Sequence, residues 1–200
     1  MSNFEKIINH RLAKYAKTQY LSDKIIHQEK DLCQRVGIIT QGEVHLVHHS
    51  ITGKAIIMGT LSKGDVFGDF LIFSSNPYYP GDLISKKPTT VIYLSKDELV
   101  NELRQDYDFQ LFYNSQLSEK ALKLNIHNKI LNLPSIRERI IVYLEIHMSK
   151  LEKSKVFISS KTQLSNYLNI QRPSLSRELK KMKEAKIIDF DRRYIWFVNP

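Results

Sequence analysis

The 200-residue sequence contains a single cysteine, Cys33. An internal disulfide is therefore excluded. So is an iron–sulfur cluster held within one chain, which typically needs four thiolates. Cys33 is expected to act as a small apolar filler. No stretch approaches the roughly 18 consecutive apolar residues that span a bilayer. Residues 1–8 lack the long apolar core of a secretory leader. A cytoplasmic protein without membrane attachment is the expectation. A Walker loop, a dinucleotide glycine pattern, a metal-spaced cluster and a Ser/His/Asp set are also missing. Neither catalysis nor a cofactor is expected. What the chain does have is positive charge, +9 in total. Residues 134–200 carry 14 Lys/Arg against 7 Asp/Glu, while residues 1–133 carry 16 against 14. A basic final third points to a polyanion, nucleic acid ahead of an anionic membrane. Charge alone is also what a solvated surface looks like.

The texture changes along the chain. Phe4, Ile7, Ile8 and Leu12 fall at helical spacing. From about Leu21 to Leu94 the apolar runs are short and β-branched: Val36–Thr40, Val44–His48, Ala55–Leu61 and Thr90–Leu94. Turn signals separate them at Gln41-Gly42, Thr52-Gly53, Lys63-Gly64-Asp65 and Pro80-Gly81-Asp82. This spacing predicts an antiparallel sandwich or barrel. No helical pattern lies between the runs, which argues against a parallel sheet.

After Ser95 the period becomes helical. Short and long helices are predicted over Lys96–Leu103 and Tyr107–Leu131. Leu117, Ala121, Leu124, Asn128 and Leu131 follow a coiled-coil seam, with a polar Asn at a seam position that can fix register. Leu122, Ile126, Ile130 and Leu133 form a second stripe. Two stripes need two covers, such as the chain's own barrel and a second copy; one large core covering both is the alternative. Pro134 ends the long helix. Ser135 and Glu138 form a capping box that opens the next. Ile136, Ile140, Leu144, His147 and Leu151 line its inner face.

The final segment carries the chemistry. Ser160 and Gln163 make another capping box, S-x-x-Q, ahead of the apolar Leu164, Tyr167 and Leu168. Asn169 suits a left-handed turn. Pro173 falls in the first turn of a second helix, where its missing N–H costs nothing. Leu175, Leu179 and Met182 face inward. Gln171, Arg172, Ser174, Ser176, Arg177 and Lys180 supply donors near the N-terminal end, as a DNA-recognition helix requires. A helical hairpin with a solvated basic face is the alternative. Residues 186–190 and 194–198 predict two strands. Between them Asp191-Arg192-Arg193 forms a basic tip able to meet phosphates or a minor groove.

With these residues in place, the chain resembles the Crp/Fnr family of bacterial regulators. Thr162–Leu168 followed by Arg172–Leu179 is similar to that family's DNA-reading signature. Arg172 and Arg177 match its base-contacting arginines, and Pro173 stands where relatives carry Glu. Glu29-Lys30-Asp31, Gln41-Gly42-Glu43-Val44 and Gly64–Asp69 resemble the turns of its β-roll. The resemblance implies an α+β fold: a jelly-roll-like antiparallel β-roll over residues 1–105, a dimerisation helix over 106–133 and a winged helix-turn-helix over 134–200. It further implies a homodimer on a palindromic site in double-stranded DNA, with RNA polymerase as a further partner. Gly68, Asp69, Phe70 and Tyr79 mark the implied effector pocket. Cyclic-AMP-binding relatives have Gly-Glu and then a phosphate-binding Arg. Here Asp69 replaces the Glu, and no Lys or Arg lies between Asp69 and Lys86. A buried phosphate without a cation is costly, so dependence on cyclic AMP is not expected. Another small molecule, or haem on a histidine such as His27 or His48, remains the alternative.

Overall fold

The computed structural model describes residues 7, 11–50, 53, 55–149 and 154–198. Phe4, Ile8, Thr52 and Leu151 of the patterns above lie outside them. The chain divides into two compact units, Met1–Lys120 and Ala121–Pro200, with the boundary inside one long helix.

The first unit contains eight strands among its described residues: β1 (Lys17–Tyr20), β2 (Ile25–His27), β3 (Arg35–Gln41), β4 (Glu43–His49), β5 (Ala55–Ser62), β6 (Val66–Phe67), β7 (Asp82–Ser85) and β8 (Thr89–Ser95). They form two antiparallel four-stranded sheets, ordered β1-β8-β3-β6 and β2-β7-β4-β5. Val36, Ile38, Ile92 and Leu94 of one sheet share a core with Val44 and Leu83 of the other. β3 is buried over four consecutive residues, Val36–Ile39. Leu99 and Phe109 from the helices that follow join the same core, both fully buried. Burying such a side chain contributes about 1.5–3 kcal/mol. Gly37 is required by a close approach: a Cβ there would lie 2.1 Å from the Phe67 ring.

The helices begin with α1 (Lys96–Gln105), two residues longer than expected. Its Ser95–Glu98 capping box is complete, satisfying two otherwise orphaned N–H groups. The long helix α2 (Tyr107–Leu131) has the expected bounds. Ile7 and Leu12 of the N-terminal stretch are buried in the first unit's core.

The second unit holds α3 (Ile136–Ser149), β9 (Val156–Phe157), α4 (Lys161–Tyr167), α5 (Arg172–Glu184), β10 (Ile188–Phe190) and β11 (Tyr194–Phe197). The strands form one antiparallel sheet, β10-β11-β9. Its core gathers Ile140 and Leu144 from α3, Leu164 from α4, Leu175, Leu179 and Met182 from α5, and Ile188 and Ile195 from the sheet. The Ser135–Glu138 box opens α3 through both of its bonds.

Candidate nucleic-acid interface

The turn between α4 and α5 is fixed by backbone geometry. Asn169 adopts a φ of 51°. The Asn169 N–H reaches Asn166 O at 3.1 Å and the Ile170 N–H reaches Ser165 O at 2.9 Å. This is a Schellman motif, with Asn where Gly is usual. Arg139 of α3 reinforces it, donating from Nη1 to Leu168 O at 3.1 Å and from Nε to Leu133 O at 3.0 Å. α5 then starts with Pro173 in its first turn.

Leu175, Leu179 and Met182 are completely buried, and they pin one side of α5 to the core. Gln171, Arg172, Pro173, Arg177 and Lys180 are exposed, and Ser174 and Ser176 are half-buried. Arg177 Nη2 donates to Ser174 Oγ at 3.4 Å, so this guanidinium lies along the helix surface. Glu178 is turned aside: Arg137 Nε of α3 donates to its Oε1 at 2.7 Å.

Asp191 shapes the tip between β10 and β11. Its Oδ1 accepts from the backbone N–H groups of Arg193 and Tyr194, both at 2.7 Å. Those two bonds hold its carboxyl below the usual range. Arg192 and Arg193 are left exposed. Lys155 stacks over Trp196 at 4.1 Å from the ring centroid. The second unit thus presents two sets of cations, one on a helix and one on a wing. Lys155 and Arg137 carry no local sequence signature, and their roles emerge only from packing.

The residues expected to form an effector pocket separate into two groups. Gly68, Asp69 and Tyr79 are buried, whereas Phe70 is 56% exposed, its ring centroid 5.9 Å from Lys120 Nζ. Gly68 has φ +76°, and a Cβ there would lie 2.9 Å from both Arg35 O and Cys33 Sγ. Cys33 Sγ lies 3.7 Å from the Tyr79 hydroxyl, and burial pushes both groups' pKa values up. The thiol is therefore held protonated, as a small core residue.

Asp69 is met by Lys120 of α2, whose Nζ donates to Oδ1 at 2.7 Å, Oδ2 at 2.6 Å and Val66 O at 2.5 Å. The Tyr113 hydroxyl donates to Asp69 O at 3.0 Å. The cation sought beside Asp69 in the sequence comes instead from 51 residues further on, and it is engaged by the carboxylate.

His27 stacks on Tyr79 at 4.4 Å between centroids, and burial lowers its pKa. His48 is exposed, 3.5 Å from Glu29. An open cleft of about 480 Å³ lies to one side, lined by Leu32, Cys33, Gln34, Ile72, Pro77 and Lys96 among others. Among the described residues no group of three or more His, Cys, Asp or Glu is placed to hold a metal. None of the described helices is long and apolar enough to cross a membrane.

On α2, Leu117 and Leu131 are half-buried, while Ala121, Leu124 and Asn128 are exposed, Leu124 to 62%. Of the second stripe, Leu122 is exposed at 44% and Ile130 is fully buried.

Comparison with known proteins follows this division. A family model described as a cyclic nucleotide-binding domain matches residues 17–106. One described as a Crp-like helix-turn-helix domain matches residues 138–200. Comparison with curated protein sequences gave no match. Among solved structures, a CooA mutant from Carboxydothermus hydrogenoformans superposes with a TM-score of 0.76 at 16% identity, covering 99% of this chain and 92% of that one. The c-di-GMP-responsive global regulator CLP from Xanthomonas campestris gives 0.68 at 14%, with 99% of each chain covered. FixK2 from Bradyrhizobium japonicum gives 0.62 at 20%, covering 92% and 93%. At these identities the likeness is one of fold.

Proposed function

Because the chain belongs to the Crp/Fnr family of DNA-binding transcription regulators, we propose that it acts as a homodimer reading a palindromic operator, without cyclic AMP. The observation that carries this reading is α5: pinned by three buried side chains, it leaves Arg172, Arg177 and Lys180 exposed, where they can meet a major groove. A bidentate Arg–guanine pair gives roughly 1–3 kcal/mol of discrimination. The wing-tip arginines add phosphate or minor-groove contacts. Two-fold symmetry would present two such helices about 34 Å apart, one turn of B-DNA.

The dimer contact is assigned to the exposed seam of α2. Leu124 at 62% exposure, with Ala121 beside it, is an apolar stripe in search of a cover, and Asn128 would set register. Independence from cyclic AMP is supported by the Asp69–Lys120 pair, in which the lysine beside Asp69 is already engaged by the carboxylate.

In vitro selection from random duplexes, with sedimentation of the free protein, tests both parts. The expected outcome is a palindrome with half-site centres 10–10.5 base pairs apart or a multiple of that, from a dimer and without additives. A monomer binding every duplex alike would refute the reading. The open cleft beside Cys33 favours a second reading, in which a small molecule gates DNA binding. A ligand that raises the melting temperature and is required for operator binding would establish that reading instead.

A further inference from the structure

The chemistry of the α5 surface goes further than a basic helix, on the premise that the DNA-binding reading above holds. Leu175, Leu179 and Met182 define its inward direction. At 3.6 residues per turn the opposite side carries Pro173, Arg177 and Lys180, all exposed. Arg172 and Gln171 are exposed at the N-terminal end. Only one carboxylate occurs in residues 171–178, that of Glu178, and Arg137 holds it on the α3 side with only 18% of its side chain exposed. Over residues 171–178 a groove therefore meets mainly donors and one apolar ring; the next exposed carboxylate, Glu184, lies two turns beyond Arg177.

The major-groove edges of the bases respond differently to such a surface. Guanine offers two acceptors, which suit Arg. Cytosine offers an N4–H donor, which needs an acceptor such as a carboxylate. Thymine offers a 5-methyl group, which suits an apolar contact. Pro173 has no amide hydrogen and no polar side-chain atom, and helical periodicity puts it on the same side of the helix as residue 177.

The geometry points to Pro173 as a specificity-determining residue that reads a thymine 5-methyl group beside guanines read by Arg172 and Arg177, with Glu178 kept out of the readout by Arg137. Each half-site then has a required methyl group and no cytosine recognised through N4 by a carboxylate.

The test uses the intact protein and the operator obtained by selection. Each half-site thymine is replaced in turn by deoxyuridine, which deletes only the methyl group. At one position wild-type affinity falls about fourfold, the value for one buried methyl. In Pro173→Ser the same replacement changes affinity less than about twofold. Glu178→Gln keeps the wild-type base preference at every position, even if overall affinity drops because its bond to Arg137 weakens. Deoxyuridine tolerated at every thymine, or an undiminished loss in Pro173→Ser, overturns the role of Pro173. A changed preference at a G·C pair in Glu178→Gln overturns the withdrawal of that carboxylate. Selection that returns no operator removes the DNA-binding reading and this one with it, whereas a sharp operator indifferent to deoxyuridine removes this one alone.

Discussion

Replacing Lys120 by Met probes the one ion pair that occupies the implied effector site. Methionine keeps helix propensity close to that of lysine, so the change acts on the charge. The two oxygens of Asp69 lie 2.6 and 2.7 Å from Nζ. At an effective dielectric constant of about 20, a single pair at that distance attracts by about 6 kcal/mol. Desolvation offsets several kcal/mol for each ion, so the intact pair contributes little net stability. Removing one member is different. The Asp69 side chain has no exposed area, and an uncompensated buried charge costs about 3–5 kcal/mol. The Lys120 side chain is 28% exposed, so water can enter the space it leaves, which favours the lower end of that range. A loss of about 3 kcal/mol corresponds to roughly 6–12 °C in melting temperature for a chain of this size. Calorimetry should show this shift in the transition that unfolds the first unit. Lys120→Met combined with Asp69→Asn should recover at least half of it. A single variant within about 2 °C of wild type, or a double variant no better than the single, would refute the reasoning.

Two further outcomes follow from local geometry. Lys186 closes α5 at φ 55°, with the Ile187 N–H bonded to Met182 O at 3.0 Å. Gly suits that Schellman position, so Lys186→Gly should stabilise by about 1 kcal/mol, read as an increase of about 2–4 °C. The second outcome concerns acid. Burial lowers the pKa of His27, so its stabilising neutral form is fully favoured above the unfolded value of about 6.5 and lost as pH falls through the folded one. For Glu102 burial pushes the pKa upward, but hydrogen bonds from Lys14, Tyr15 and Arg11 outweigh it and the pKa is lowered. That contribution is present above about pH 4.5 and lost as pH falls through the folded value. Thermal melts should therefore lose stability in two stages below neutrality, and His27→Gln should flatten the upper stage alone.

Much of the architecture is written in local pattern. Val36–Thr40, Val44–His48, Ala55–Leu61 and Thr90–Leu94 correspond to β3, β4, β5 and β8, because β-branched residues between turn signals form a half-buried sheet. The helix boundaries at Leu131 and Ile136 follow from Pro134 and the Ser135–Glu138 capping box. Shorter strands left no such trace. β6 and β9 have two residues each, too few for alternation to register. β2 is interrupted by a register shift between Ile25 and His27.

At the site, donors and pins on α5 were legible because helical periodicity separates them. Long-range pairings were not. Lys120 meets Asp69 across 51 positions, and Arg11 meets Glu102 across 91. Residues 70–85 contain no cation, so local reading predicts an uncompensated Asp69; the compensating lysine sits on a helix whose seam pattern gives no reason to single it out. Arg137, which withdraws Glu178, looks in sequence like any exposed residue of an amphipathic helix.

The most direct test compares the selected operator with a scrambled duplex at one fixed salt concentration, by fluorescence anisotropy, for wild type and for Arg172→Ala/Arg177→Ala. Specific binding should exceed non-specific binding by at least about a thousandfold in wild type. Loss of two bidentate contacts per half-site should remove most of that ratio while the melting temperature and the binding to scrambled DNA stay close to wild type. A doubly substituted protein that still prefers the operator as strongly as wild type would show that α5 is not the element that reads DNA.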